Sequence, residues 1–407
     1  VNAERILAFA YACDPQAGSE PGAGWAWARL LARIGETWVI TRCNNRSAIE
    51  AELRAVPEAG RLHFVYVDLP RWSRFWKRGQ RGVRLYYFLW QLSALRVARR
   101  LNSRRPFTVV WHLTFANAWL GSVAPLVGPP LVYGPVGGGL GVPPRSLLFT
   151  LGPRTVVYEL GRAAARAAGR YLNPLARLAW RRAALILVQN EETRSWLPRR
   201  YRHRAVLFPN PLLDAPLRYG HPRRDPPTAL YAGRLLDVKG VGLAIRAVAT
   251  QPPWRLVVCG AGRDEPRLRR LVEHLDLADR VEFIGTRTHA EVLALMQEVA
   301  DVLLFPSVRE EAGWVVVEAL ASGLPVICLD RGAPRVLAAE AGLPAPTHGH
   351  VDAVVAALGR SLARETFPSH ALIRDRARYF STERTLARLS ELLLGANLLS
   401  VTSERSL

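Results

Sequence analysis

Short apolar runs rich in β-branched and aromatic residues alternate along this chain with longer amphipathic stretches. The first half carries such runs at 5–12 (RILAFAYA), 37–42 (TWVITR), 62–69 (LHFVYVDL), 108–113 (TVVWHL), 130–135 (PLVYGP) and 184–190 (ALILVQN). The second half carries them at 228–233 (TALYAG), 255–260 (RLVVCG), 281–285 (VEFIG), 301–307 (DVLLFPS) and 325–330 (PVICLD). Strand-like runs separated by helix-like ones predict parallel sheets covered by helices. The rhythm fails once, across 198–227, where Pro and polar residues dominate. An α/β chain of two doubly wound domains follows, residues 1–205 and 206–372, with a C-terminal helix and tail at 373–407 expected to pack back toward the first domain. A length of 407 residues with 49% apolar content is enough for two cores.

Two apolar segments test this division. Residues 106–144 contain no charge, yet prolines and glycines interrupt them repeatedly. They read as strand, short helix, strand and Gly-rich loop in a buried core, not as a membrane span of about 20 apolar residues. The seven apolar residues after Glu4 and Arg5 are too short and wrongly flanked for a signal peptide and read as a first strand. Cys13, Cys43, Cys259 and Cys328 show no metal-ligand spacing, which favours a reducing compartment such as the cytoplasm.

Charge is unevenly shared. The net charge is +21, but residues 1–205 hold 31 Lys and Arg against 11 Asp and Glu, whereas 206–407 hold 24 against 23. Residues 71–105 alone contain eleven basic residues, seven aromatics and no acid, and Arg162, Arg166 and Arg170 recur at helical spacing. Basic side chains interleaved with Trp, Tyr and Phe suit an anionic membrane surface, with the first half as the docking part. A solvated face in an Arg-rich chain (53 Arg, two Lys) is the plain alternative. Nucleic acid is not the expected partner.

Parallel α/β sheets bind ligands beyond the carboxyl ends of their strands. After the first run come Gly18, Gly22 and Gly24 and then a helix with Trp27, Leu30, Leu31 and Ile34 on one face, a candidate phosphate or acceptor loop. After 228–232 come Gly233, Arg234 and, ahead of the next helix, Lys239: two cations arranged as a diphosphate clamp. Residues 309–330, REEAGWVVVEALASGLPVICLD, hold Glu310 and Glu318 eight positions apart. Three successive valines at 315–317 suggest a strand. The better strands flank them, however, and parallel neighbours need a crossover, so 314–322 is expected to be a short helix ending at Gly323. Glu310 then lies in the preceding loop, able to reach sugar hydroxyls, and Glu318 in the second helical turn, able to bind a ribose diol. Gly313 leaves room for a ligand against the backbone.

The spacing from Glu310 to Glu318, together with GRLLDVKG, VEFIG, the Pro-Ser at 306–307, EALASGLPVI, PNP at 209–211, GSEPGAGWAWARLLA and GPVGGG, resembles the retaining GT-B glycosyltransferases of family four. That resemblance implies two Rossmann-like doubly wound domains facing across a cleft, with a nucleotide-diphosphate-sugar donor held by the second domain and a glycan or lipid-linked acceptor by the first. It assigns Arg234, Lys239, Glu310 and His112 to catalysis, His112 holding the transferred sugar, and Gly233, Gly285, Gly313, Trp314 and Glu318 to the donor. Glu311 stands beside Glu310 as a rival where relatives read E-G-F-G, and Ala333 replaces a common glycine. No Asp-x-Asp sequence occurs, so neither metal nor cofactor is expected. The expected activity is hexosyl transfer in cell-surface polysaccharide synthesis, by a cytoplasmic protein peripheral at the inner membrane face. The alternatives are a sugar-nucleotide epimerase or phosphorylase on the same fold, or a non-catalytic basic membrane-binding protein.

Overall fold

A computed structural model describes residues 4–70, 82–148, 150–213 and 225–399. The strands are β1 (Arg5–Phe9), β2 (Glu36–Thr41), β3 (Leu62–Tyr66), β4 (Val109–His112), β5 (Leu131–Val136), β6 (Ala183–Val188) and β7 (Ala205–Leu207), then β8 (Thr228–Ala232), β9 (Arg255–Cys259), β10 (Val281–Gly285), β11 (Val302–Phe305), β12 (Val326–Leu329) and β13 (Gly342–Ala345). The helices are α1 (Ser19–Ile34), α2 (Arg46–Leu53), α3 (Val83–Arg104), α4 (Arg145–Leu148), α5 (Pro153–Tyr171), α6 (Pro174–Arg182) and α7 (Glu191–Trp196). They continue as α8 (Val241–Ala249), α9 (Glu265–His274), α10 (His289–Glu298), α11 (Trp314–Ala321), α12 (Gly332–Ala338), α13 (Val351–Leu362), α14 (His370–Arg378) and α15 (Thr382–Gly395).

Two wholly parallel sheets result, ordered β3-β2-β1-β4-β5-β6-β7 and β10-β9-β8-β11-β12-β13. Every run predicted as a strand is one. Two strands are additional: β7, three residues inside the Pro-rich stretch, and β13, which includes Pro344. Both lie at a sheet edge, where a proline removes no interior ladder bond and little apolar periodicity is needed. The uncharged segment forms β4 and β5, buried along their whole length. Among the described residues no helix is long and apolar enough to cross a membrane. All four cysteines are free thiols.

By internal contacts one unit comprises Val1–Gly139, Arg166–Leu212 and Thr382–Leu407, and the other Leu140–Ala165 with Leu213–Ser381. The stretch 140–165, between β5 and β6 in sequence, thus counts with the second unit. In the first unit α1 covers the sheet as its periodicity predicts. Trp27 lies against Trp111 and Phe208, with ring centroids 6.1 and 5.7 Å away, and its indole N–H donates to the Asn210 carbonyl at 3.0 Å. The helix stops at Gly35, where a Cβ would meet the Glu4 carbonyl oxygen at 2.4 Å. α15 packs in the same unit, through Arg33–Glu383 (3.7 Å) and the Arg388 guanidinium over Phe208 (5.1 Å). The core of the second unit gathers β8, β9, β11 and β12 with the buried faces of α8, α11 and α13.

Candidate functional site

In each sheet the first strand and the fourth are neighbours, so successive crossovers leave on opposite sides and open a crevice at the carboxyl ends of β1 and β4, and of β8 and β11. In the second unit that position is built from the segments after β8 and β11. Both are tied to one carbonyl: Val238 O accepts the N–H of Val308 (2.9 Å) and of Arg309 (3.2 Å). The turn at 237–240 closes on Gly240, whose φ is +71° and where a Cβ would stand 2.0 Å from the Pro306 carbonyl oxygen.

This stitching brings Lys239 against Glu310: the ammonium and the carboxylate form a short ion pair, both side chains largely buried. Of the two adjacent acids, Glu310 is the one that meets the lysine. Arg234, after β8, is exposed, and its guanidinium has no hydrogen-bond or ion-pair partner among the described residues. Its backbone carbonyl accepts the Tyr231 hydroxyl at 3.2 Å. Burial, then the nearby Glu310 carboxylate, pushes the Tyr231 phenol far up. α11 starts at Trp314 after Gly313 (φ +62°), so the three valines are helical, and Glu318 falls in the second turn as the spacing predicts. Glu318 Oε1 lies 3.1 Å from His289 Nε2 on α10, a pairing no sequence signal announced. The Trp314 indole N–H is buried without a partner among the described residues. Gly233 and Gly285 flank the end of β9, the Gly233 N–H donating to the Cys259 carbonyl (2.9 Å) and the Gly285 carbonyl accepting the Gly260 N–H (2.8 Å), and a Cβ at Gly285 would meet nothing within 4 Å.

Behind Glu310 lies a buried charge network. Glu159 on α5 is 0% exposed and receives Arg162 through Nε (3.1 Å) and Nη2 (2.9 Å), and Arg309 through Nη1. Arg162 also donates to the Leu140 and Gly141 carbonyls, and Arg331 to Gly141 and Val308. The residue next to Glu310 is therefore held by an acid 150 positions away in the chain. One signal was available: Glu159 is the sole acid between Asp68 and Glu191.

In the first unit, His112 ends β4 and is fully buried. Its Nε2 and the Tyr87 hydroxyl are 2.7 Å apart, as are its Nδ1 and the Ser122 hydroxyl. Because Tyr87 also reaches the Phe115 carbonyl and Ser122 accepts the Ala124 N–H, every donor is used when the imidazole proton sits on Nε2. Burial lowers the imidazole pKa to about 3 and keeps the ring neutral. Neither nitrogen is presented to a ligand here; contact with a sugar would require Tyr87 to leave Nε2. The glycine loop also divides. A Cβ at Gly22 would meet Ala17 O at 2.2 Å and one at Gly24 would meet Ala12 O at 2.1 Å, so those two permit close backbone packing, whereas Gly18 faces open space. The arginine face at 162, 166 and 170 is not a free surface: Arg162 is buried on Glu159, and the Arg166 and Arg170 guanidinium groups lie over Trp196 at 5.9 and 5.7 Å. Helical spacing alone does not distinguish a buried arginine stripe from a solvated one.

Residues 219–378 match the family described as glycosyl transferases group 1. The D-inositol 3-phosphate glycosyltransferase of Mycobacteroides abscessus is 35% identical over 150 residues, 35% of this chain and 33% of that protein. The chain thus matches about a third of that relative's length. Among solved structures, the lipopolysaccharide outer core galactosyltransferase WaaB superposes with a TM-score of 0.65 at 15% identity, over 96% of this chain and 99% of the other. Anabaena HepE in complex with UDP gives 0.62 at 16%, over 96% and 100%. The architecture is the GT-B fold, and within it residues 219–378 are similar to the glycosyl transferases group 1 family.

The hydrogen bond to Glu318, then its charge, raises the His289 pKa above 6.5 despite partial burial. A raised imidazole pKa stabilises the folded state fully below the unfolded value near 6.5, and that contribution is lost as pH rises through the folded value. An NMR titration of the imidazole should place His289 above 6.5, and Glu318→Gln should return it toward that value. A midpoint unchanged by Glu318→Gln would rule the pairing out.

Proposed function

We propose that this chain transfers a hexose from a nucleotide-diphosphate sugar to a glycan or lipid-linked acceptor, with retention of anomeric configuration and without a metal or cofactor. The observation that carries this reading is the Lys239–Glu310 pair at the carboxyl ends of β8 and β11, with the exposed, unpartnered Arg234 guanidinium following β8, within the segment that matches the family. Departure of the diphosphate builds negative charge where these two cations stand, and fixed cations stabilise it without reorganisation. Lys239 exchanges its carboxylate partner for phosphate oxygens, which frees Glu310 for sugar hydroxyls. Glu318 takes the ribose diol, with Gly233, Gly285, Gly313 and Trp314 lining the donor. The acceptor proton leaves with the diphosphate, so no dedicated base is needed. His112 acts from within the core, holding Tyr87 and, through it, the Phe115 carbonyl. A phosphorylated cyclitol is the second acceptor reading, favoured by the name of the inositol-phosphate relative. It also fits the basic first half.

Arg234→Ala or Lys239→Ala should each lower turnover by about a hundredfold or more in a screen of UDP- and GDP-sugars against octyl glucoside and D-inositol 3-phosphate. Near-normal turnover in both variants would exclude the clamp. In the same assay wild-type activity should persist in EDTA; abolition by chelator with rescue by Mg2+ or Mn2+ would overturn metal independence.

The membrane reading, at the inner face of the cytoplasmic membrane, moves to another surface. Residues 71–81 lie outside the described part, but α3 presents Leu85, Phe88, Leu92, Arg96 and Arg99 as one exposed stripe, apolar then basic. Binding to phosphatidylglycerol vesicles should rise with anionic lipid and fall with salt, as expected for charges screened over about 8 Å at physiological ionic strength. Replacing Leu85, Phe88 and Leu92 by Ser should remove the salt-resistant part. Equal sedimentation with neutral vesicles, or none with either, would return these arginines to solvent.

A further inference from the structure

Glu20 stands in the first turn of α1, where the chain enters that helix after β1. Its Oε1 accepts the Phe115 backbone N–H at 2.5 Å, and its carboxylate has no further hydrogen bond or ion pair to a described residue. Phe115 has φ +54°, a left-handed conformation that bulky residues seldom adopt outside functional sites. The Tyr87 hydroxyl reaches its carbonyl at 3.3 Å. Both backbone groups of one strained residue are therefore gripped by side chains, Glu20 from α1 and Tyr87 from α3. The Phe115 ring also packs on Tyr11 and Tyr87, with centroids 4.7 and 5.2 Å away. These groups occupy the two chain exits at the carboxyl ends of β1 and β4.

A neutral amide would hold the Phe115 N–H equally well. An ionised carboxylate at this depth is costly, and burial pushes its pKa up accordingly. The chain nonetheless keeps an acid here, the sole one between Asp14 and Glu36. One oxygen explains the strained loop; the other is available to a ligand that offers a donor.

We propose that Glu20 is an acceptor-binding residue, whose Oε2 accepts a hydrogen bond from a hydroxyl of the sugar or polyol acceptor and orients it. This assignment rests on the transferase reading above. Phe115, fixed by the other oxygen, sets the direction of the carboxylate.

Glu20→Gln retains a carbonyl for the Phe115 N–H and removes the second acceptor oxygen. In the full chain, with octyl glucoside and D-inositol 3-phosphate as acceptor probes, it should raise the acceptor KM by about tenfold or more, the scale of one hydrogen bond to a charged group. Affinity for UDP or GDP by calorimetry, and the melting temperature, should stay as in the wild type. An unchanged acceptor KM would show that Glu20 only pins its loop. Loss of nucleotide affinity in equal measure would also overturn the assignment. On wild-type protein, saturating acceptor should protect Glu20 from carbodiimide labelling read by mass spectrometry; absence of protection would refute the contact even if the variant fails to fold. No transfer by wild type under any donor and acceptor pair would instead fell the transferase reading, and the Glu20 assignment with it.

Discussion

A parallel strand cannot return to its neighbour by a tight turn, and both sheets of this chain take their sites from that restriction. Each crossover needs a helix, each helix covers one face, and where the direction of winding reverses the sheet leaves two chain exits side by side. In the first sheet those exits carry Glu20, Tyr11 and Phe115. In the second they carry Arg234, Lys239 and Glu310. Chemistry-bearing residues from distant parts of the sequence meet because topology gives them adjoining strand ends.

Strand ends alone do not fix loops to within hydrogen-bonding distance. In the second unit that is done by backbone contact and buried charge. The Val238 carbonyl accepts two N–H groups of the segment after β11, and Gly240 allows the turn to press on Pro306. Glu159 then holds Arg309 from the other side. Removing one member of a buried ion network leaves an uncompensated charge, which costs more than the intact network contributes. Glu310, the partner of Lys239, is therefore part of a rigid assembly and not of a free loop. The first unit uses neutral groups for the same end: a chain of hydrogen bonds from Ala124 through Ser122, His112 and Tyr87 to Phe115.

Periodicity carried eleven of the strands, because apolar patterning there answers directly to burial, whereas the helix after Gly313 followed from the crossover that parallel neighbours need, against the pull of its three valines. Periodicity missed β7 and β13, short edge strands with little to pattern. It placed Arg234, Lys239, Glu310 and Glu318 at strand ends and a helix turn, and the structure pairs Lys239 with Glu310. It could not foresee that Glu318 meets His289 or that Arg162 turns inward, since a side chain's partner at long sequence separation leaves no local mark. Glu20 and Glu159 left a faint trace, each an isolated acid in a basic region. Why either acid is kept becomes visible only with Phe115, 95 positions from Glu20, and Arg309, 150 positions from Glu159.

The interleaving of the two units bears on how such chains are cut and recombined. The second unit is not one stretch of sequence: Leu140–Ala165 belongs to it by contacts, although β6 and β7 of the first unit follow in the chain. A fragment beginning at Leu213 would carry Arg309 without Glu159. A hybrid in which residues 213–381 are grafted onto a foreign first half inherits the same orphaned guanidinium, unless the foreign half supplies a carboxylate at the equivalent helical position. In this architecture the heritable module is the unit with its borrowed helix, and exchange along the linear sequence severs the ion network beside the Lys239–Glu310 pair.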